Sequence, residues 1–410
     1  MPRSQPGYKI LYFSDYEWGN MGRRKSRLAY EFTHQAEVAS VLYVEPPVAT
    51  SILDLVRGRF ERGRVAQTRR AYFDVLAGRP CQMDGKVWAY TGSKKTIPLT
   101  RLKALRRLSG LSRLNEDLYY IGIRRALRRL PGECLVLWLS NPLHAGVLRA
   151  FPQRTLACYD WTDDWAAFDI LPVADPAGIV ALNNLILRQV DLVFAVSAEL
   201  ERRAAAENPH TYRAPNATDL EKLGEAAADG PLAPELAGLP RPVIGYVGQI
   251  ADKMNYELID QVARTRTNWS FVFVGPVWSS KRERVATLEA LSNVHFLGAR
   301  LFDQLVPYLR GFDVCMLPHL TNPLTRSMDP IKLYDYLSTG KPIVSTSVAG
   351  TERFLDVLYL ADNPADFVRC IEDALGENGQ LVERRLSYAR RNTWSQRARD
   401  IWQVISQQPV

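Results

Sequence analysis

No uninterrupted apolar run in this 410-residue chain approaches the roughly 18–20 residues that a bilayer span needs. A membrane-spanning class is not expected. Cysteine is sparse as well. Cys81, Cys134, Cys158, Cys315 and Cys370 are scattered, with no C-x-x-C pair and no metal-ligand spacing. That argues against a disulfide framework or a zinc module and suits a reducing, cytoplasmic setting. Low-complexity tracts and internal repeats are missing too. The first residues, M-P-R-S-Q-P-G-Y-K-I-L-Y-F-S, run almost directly into a strand pattern, so a secretory leader is not expected.

The composition is that of a protein with large cores: 47% hydrophobic and 23% charged. At this length two domains are the natural reading. The net charge of +8 is placed unevenly. Residues 1–130 hold 25 Lys/Arg against 11 Asp/Glu, while the remainder holds 27 against 33. A positive half favours anionic partners.

Short apolar runs alternate with helix-like stretches. In the second half the runs are 242–248, 271–275, 294–298, 313–319, 342–346 and 358–362. Helical stretches fall near 255–264, 281–291, 302–309, 331–339 and 364–375. In the first half, 9–14, 40–45, 86–90, 135–140, 155–161 and 192–197 read as strands. Strands alternating with helices predict parallel sheets covered on both faces, hence two doubly wound α/β domains. The Ala-, Gly-, Pro- and acid-rich stretch 217–241 is the expected linker. The expected division is 1–216, linker 217–241, and 242–382.

Ligands bind outside the carboxyl ends of strands in such folds. The richest strand-end segment is P-I-K-L-Y-D-Y-L-S-T-G-K-P, from Pro330 to Pro342. With a helix starting near Met328, Met328, Lys332 and Asp335 share one face, and Leu333, Tyr336 and Leu337 another. Lys332 and a helix N-terminus favour an anion, and Asp335 can accept hydrogen bonds from a vicinal diol such as ribose. An amphipathic surface helix carrying both by chance would read the same way.

This segment resembles the nucleotide-diphosphosugar site of the two-domain glycosyltransferases of the GT-B fold (the group 1-like families). Many of these carry two Glu eight residues apart here. In this chain the second acidic position is Asp335 and the first falls on Ser327. Beside them, Met328 and Leu333 complete the donor segment that the resemblance implies. Gly248-Gln249 and Lys253 follow the first strand of this half, where relatives hold the diphosphate. There Gln249 replaces an Arg and Lys253 arrives one residue early. Gly275 and Ala299-Arg300 follow the next strands, where the resemblance implies backbone pairing with a base, usually uridine. Arg326, in the loop before the helix, could meet a phosphate or a sugar carboxylate, or could be a solvated loop arginine.

In the first half, C-Y-D-W-T-D-D-W ends an apolar strand with Asp160, Asp163 and Asp164 between tryptophans. Like charges raise one another's pKa, and a carboxylate so tuned can act as a general base. A helix cap by Thr162 or Asp163 is the competing reading. The segment resembles Y-D-x-x-D-D stretches of bacterial polysaccharide-forming glycosyltransferases. A weaker resemblance, to the xanthan-type glucuronosyltransferase family, places its catalytic Asp at Asp163. The loop after the first strand offers Gly19 and Gly22 for close backbone approach. It also offers Arg23 and Arg27 for a diphosphate or an acceptor pyrophosphate. L-Y-V-E-P-P, from Leu42 to Pro47, reads as a structural strand end. P-N-A-T-D, from Pro215 to Asp219, resembles the P-N-G-x-D end of the first domain.

Residues 101–129 pair arginines with Leu, Ile and Tyr at helical spacing. They read either as an interface helix for anionic lipid or as ordinary surface helices. No nucleic-acid recognition module is visible. The resemblance implies transfer of a hexosyl unit from a nucleoside-diphosphate sugar, UDP-sugar favoured, to a lipid-linked or growing bacterial glycan. No cofactor is expected, and with no Asp-x-Asp triplet at a strand end no metal is expected either. Peripheral attachment to the inner face of the plasma membrane is a further expectation. The last helix, 383–406, is expected to cross back to the first domain. A nucleotide-sugar epimerase, a phosphorylase or a non-catalytic sugar-nucleotide scaffold would share much of this pattern.

Overall fold

The computed structural model of the chain describes residues 7–19, 21–47, 79–92, 109–167 and 176–409. Its first sheet is built from eight strands, labelled in chain order. They are β1 (Tyr8–Phe13), β2 (Val38–Val44), β3 (Cys81–Asp84), β4 (Val87–Tyr90), β5 (Cys134–Leu139), β6 (Leu156–Trp161), β7 (Leu192–Ala195) and β8 (Thr211–Arg213). Their spatial order is β3-β4-β2-β1-β5-β6-β7-β8. All neighbours are parallel except β3, which pairs antiparallel with β4 at the edge. β3 and β8 have no counterpart among the runs expected from sequence. Both are short edge strands without buried alternation, so no periodic signal marks them.

The second sheet contains β9 (Val243–Val247), β10 (Ser270–Val274), β11 (Val294–Phe296), β12 (Val314–Leu317), β13 (Ile343–Ser345) and β14 (Tyr359–Leu360). It is wholly parallel, in the order β11-β10-β9-β12-β13-β14. The direction of winding reverses between β9 and β12, which leaves a crevice outside their carboxyl ends. The same reversal between β1 and β5 opens the first sheet. The central strands are buried on both faces, so their sequences are continuous apolar runs rather than alternating ones.

α1 (Arg24–Phe32) starts at the cleft, α2 (Ser109–Leu127) packs on the first sheet, α3 (Ile331–Leu337) lines the cleft from the second domain, and α4 (Trp394–Ser406) returns to the first domain. The stretch expected as one crossing helix is two. Gln380–Arg391 stays with the second domain, where the buried Arg385 side chain donates to the carbonyls of Gly340 and Val357. The chain then turns at Asn392, Thr393 caps α4 through the Gln396 N–H, and only α4 returns. Trp402 packs edge-on against Tyr8, ring centroids 5.2 Å apart, and its indole N–H donates to Glu37. The outgoing and returning chains run side by side. The Thr218 N–H donates to the Asn392 carbonyl, and the Trp394 N–H donates to the Thr218 carbonyl.

α2 packs Tyr119, Tyr120, Ile123, Ala126 and Leu127 into the first-domain core. Its outer face shows Leu114, Leu118 and Ile121 with Arg125, and the exposed Arg128 and Arg129 follow in the turn after it. The inner face is that of an ordinary packed helix. Residues 101–108 of the basic stretch lie outside the described residues. Among the described residues no helix is long and apolar enough to cross a membrane.

Candidate active site

A cavity of about 420 Å³ opens where the carboxyl ends of the two sheets face each other. Gly248, Gln249 and Lys253 after β9, Gly275 after β10, and Ala299, Arg300 and Phe302 after β11 form one wall. The segment from Met328 to Lys332, with Asp335, completes that wall. The opposite wall is Tyr16, Gly22, Arg23 and Lys25 from the loop into α1, with Thr162 and Asp163 after β6 and Asn216 at the crossing.

Two glycines shape the second-domain wall. Gly248 (φ +145°) and Gly275 (φ +157°) adopt backbone that other residues resist. Space decides as well. A Cβ on Gly248 would lie 1.6 Å from Cε of Lys332, and one on Gly275 would lie 1.8 Å from the Gly248 carbonyl oxygen. The lysine side chain is laid along Gly248 and can reach the cavity only because nothing projects there. α3 begins at Ile331, not at Met328, which is extended (φ −83°, ψ 168°). Met328, Lys332 and Asp335 nevertheless all line the cavity. A seven-residue helix contributes little dipole, so the positive charge here is that of Lys332.

Lys332, Lys253 and Arg23 converge on the cavity. Among the described residues no carboxylate lies within ion-pair distance of any of them. Burial pushes the Lys332 ammonium well below its usual pKa, and the neighbouring Lys253 and Arg23 push it further, against Asp335. Lys253 is lowered by burial, with Asp163 opposing and Arg23 reinforcing. The Arg23 guanidinium lies 4.1 Å from the centre of the Tyr16 ring. Three like charges held together without counter-ions form a site with unmet demand for an anion. Beside them, the Asp335 carboxylate accepts from the Thr218 hydroxyl at 3.0 Å, and burial raises its pKa to about 7.

The acid cluster after β6 divides. Asp163 lines the cavity. The Thr162 hydroxyl donates to its carboxylate at 2.9 Å, and the Trp161 indole donates to its carbonyl. Burial raises its pKa, while Lys25, the Thr162 hydroxyl and Lys253 act to lower it. Asp160 is a correction. It is fully buried and receives Arg24 Nε and Nη2, the latter at 2.7 Å, so it is a structural half of an ion pair. Asp164 is a second correction: it pairs with Arg203 at 2.6 Å and does not line the cavity. The neighbours that tune Asp163 are Lys25, Lys253 and Asp15 rather than Asp160 and Asp164.

Other expected residues lie elsewhere. Leu333 is fully buried core. Ser327 is buried, its hydroxyl donating to the Leu324 carbonyl while its own carbonyl accepts from Ser197 at 2.6 Å. Arg326 is exposed and does not line the cavity. Gly19 turns the loop (φ +113°) away from it. Arg27 bridges Glu31 at 3.0 Å and Asp219 at 2.8 Å and so ties α1 to the linker. Arg300 reaches the cavity, but its guanidinium is committed to Tyr308, Glu235 and the Ala299 carbonyl. Glu45 accepts from the Trp18 N–H and the Thr91 hydroxyl, a structural strand end.

Three residues went unselected by the sequence reading. Lys25 is buried and ion-paired with Asp15, its ammonium 5.3 Å from the Tyr16 ring centre and 5.5 Å from that of Trp165. Burial opposes its charge and Asp15 more than offsets that, so its pKa is raised. Asp15 also accepts from Asn141 at 2.8 Å. Asp329 accepts the Asn216 N–H at 2.6 Å and the Tyr334 hydroxyl at 2.8 Å, joining the two walls at the crossing. Asp15 and Lys25 sit inside the loop that the sequence had singled out for its glycines and arginines. Their mutual pairing was the missing signal. Among the described residues no group of three or more His, Cys, Asp or Glu side chains is placed to hold a metal ion.

Comparison with known proteins points the same way. Residues 241–377 match the family model described as Glycosyl transferases group 1. TuaH of Bacillus subtilis (strain 168), a glycosyltransferase assigned to teichuronic acid biosynthesis, is 26% identical over 279 residues, covering 64% of this chain and 70% of that protein. HepE of Anabaena, solved with UDP and glucose, superposes with a TM-score of 0.64 at 14% identity, over 98% of this chain and 100% of that one. The sucrose-phosphate synthase of Thermosynechococcus elongatus superposes with a TM-score of 0.66 at 13% identity, over 98% and 99%. The fold is that of these two-domain enzymes, and the family resemblance read from the sequence holds.

Proposed function

We propose that this chain, a GT-B glycosyltransferase whose second domain is of group 1, moves a hexosyl unit from a UDP-sugar to a hydroxyl of a bacterial cell-surface glycan. The observation that carries the reading is one cavity in which Lys253 and Lys332, with Asp335 beside them, face Asp163, and Arg23 from the first-domain loop joins the two lysines. The cations suit a diphosphate leaving group and take the place a metal ion has elsewhere. Asp335 suits the ribose hydroxyls. Asp163 suits the general base, which takes the acceptor proton while the diphosphate leaves on the opposite wall. A base so placed implies inversion at the transferred carbon. UDP is favoured because HepE, which shares the fold, was solved with it. The glycan is favoured by the relationship to TuaH. A lipid-linked acceptor, reached from the cytoplasmic face, accords with the exposed Leu114, Leu118, Ile121 and Arg125 on α2 and Arg128 and Arg129 just after it.

The test is a thermal-shift screen over UDP-, GDP- and dTDP-sugars, with and without a chelator, followed by a transfer assay. Ligand at 100 times its Kd adds about 2.7 kcal/mol of stability. Stabilisation by UDP-sugars with chelator present, and transfer that depends on Asp163, is the expected result. Binding without transfer or hydrolysis would leave a sugar-nucleotide scaffold. Conversion of the donor sugar without transfer would indicate an epimerase.

A further inference from the structure

Gly22 is a glycine whose reason lies in the other domain. Its φ is not in the left-handed region, so its backbone would accept any residue. A Cβ at Gly22 would instead lie 2.5 Å from Cδ2 and 3.0 Å from Cγ of Phe302. Phe302 stands on the segment after β11, beside Ala299 and Leu305 on the second-domain wall. The two residues meet across the cavity mouth, and Arg23 follows Gly22 directly.

We propose that Gly22 and Phe302 form the clasp of the cleft, a ring-on-backbone contact that holds Arg23 over Lys253 and Lys332. The polar crossing made by Asn216 and Asp329 joins the walls at one side of the cavity, and the clasp joins them at its mouth. A rigid aromatic ring against bare backbone allows the closest approach two domains can make. A single methyl there forces either the ring off its rotamer or the walls apart. Gly22 and Phe302 are therefore positioning residues. They touch no reacting atom, and they act by setting where the Arg23 guanidinium stands. The nucleoside end of a ligand rests on the second domain alone, so the clasp bears on the diphosphate. Its functional half rests on the nucleotide-sugar reading above.

The experiment is a double-mutant cycle of Gly22→Ala and Phe302→Ala, read in two ways. The first needs no ligand: small-angle scattering and thermal unfolding of the full chain. Gly22→Ala should enlarge the particle while leaving the cooperative transition intact, and the double variant should lie close to Phe302→Ala alone rather than at the sum of the two. The second reading is calorimetry with UDP and with UMP as probes. Gly22→Ala should weaken UDP by about tenfold, the scale of one lost charge-assisted contact, and leave UMP unchanged. Additive effects in the cycle, with scattering unchanged, would overturn the clasp. An equal loss for UDP and UMP would overturn its action through Arg23. If the native protein binds neither nucleotide, the nucleotide reading fails while the scattering and cycle still decide the contact.

Discussion

The two walls of the cleft carry charge in opposite ways. On the second-domain wall Lys253 and Lys332 stand without ion-pair partners among the described residues; burial lowers both, with Arg23 adding to each and Lys253 adding to the shift of Lys332. On the first-domain wall Lys25 is paired with Asp15, and the buried Arg24 behind it with Asp160. The first arrangement is incomplete until an anion arrives. The second is paired within itself except for two groups, Arg23, which joins the lysines at the cavity, and the carboxylate Asp163. Arg23 apart, binding is assigned to the second-domain wall and proton transfer to the first, so substitutions on each should separate them.

The sharpest separation is expected from Asp163→Asn. It keeps the shape and loses the proton acceptor, so turnover should fall by about 10²–10⁴-fold, with UDP affinity unchanged in calorimetry. A near-native rate would place the base elsewhere. Next in size is Arg24→Met, which strands a buried carboxylate. Unfolding should show a loss of about 3–5 kcal/mol, with Asp160→Asn combined with Arg24→Met recovering part of it. If Arg24→Met is as stable as the native chain, the pair is not structural. On the other wall, Lys332→Met should cost about 1.5–3 kcal/mol of UDP affinity and little stability, since it removes a buried, self-repelled cation. Equal effects on binding and folding would break the contrast between the walls.

The smallest effect is expected at Asp335, and its sign depends on pH. With a native pKa of about 7, raised first by burial, the folded chain holds a proton that the unfolded chain has already lost above the usual carboxylate range. Asp335 therefore costs stability increasingly as pH rises from the usual carboxylate range to about 7, and by a constant amount above it. Solvent in the open cleft screens the charge, so Asp335→Asn should stabilise the protein by only about 1–2 kcal/mol at pH 8 and hardly at pH 4. It should also weaken UDP and remove the rise in affinity between pH 6 and 8. A flat profile for the native chain would remove Asp335 from the ribose.

The same contrast explains why one wall was legible in the sequence and the other was not. On the second-domain wall Lys253 follows β9, and Lys332 and Asp335 stand on a helix that otherwise buries Leu333, Tyr334, Tyr336 and Leu337. An isolated charge next to that much core has one place to go. Gly248, Gly275, Lys253, Lys332 and Asp335 were accordingly legible from spacing and resemblance. On the first-domain wall charges are crowded, and a crowded charge can always pair with a neighbour. Asp160, Asp163 and Asp164 are alike in sequence. Their differences arise from Arg24, the open cavity and Arg203, which come from positions 24 and 203 of the chain. Arg27 was misassigned for the same reason, since Asp219 in the linker claims it, and Glu235, also in the linker, holds the guanidinium of Arg300 while that residue still lines the cavity.

The order of apolar runs was enough by itself to determine two parallel sheets. Burial on both faces demands continuous hydrophobic strands, and a parallel connection demands a helix between them. It also determined that the chemistry lies at strand ends. Only the tertiary structure decided which charges are spent on one another and which are left for a ligand. Pairing depends on distances between residues far apart in the chain, and such distances exist only once the two sheets, the linker and the returning helix have packed. The clasp is the clearest case. The sequence marked Gly22 for close backbone approach but not what approaches it, because the atoms that forbid a side chain there belong to Phe302.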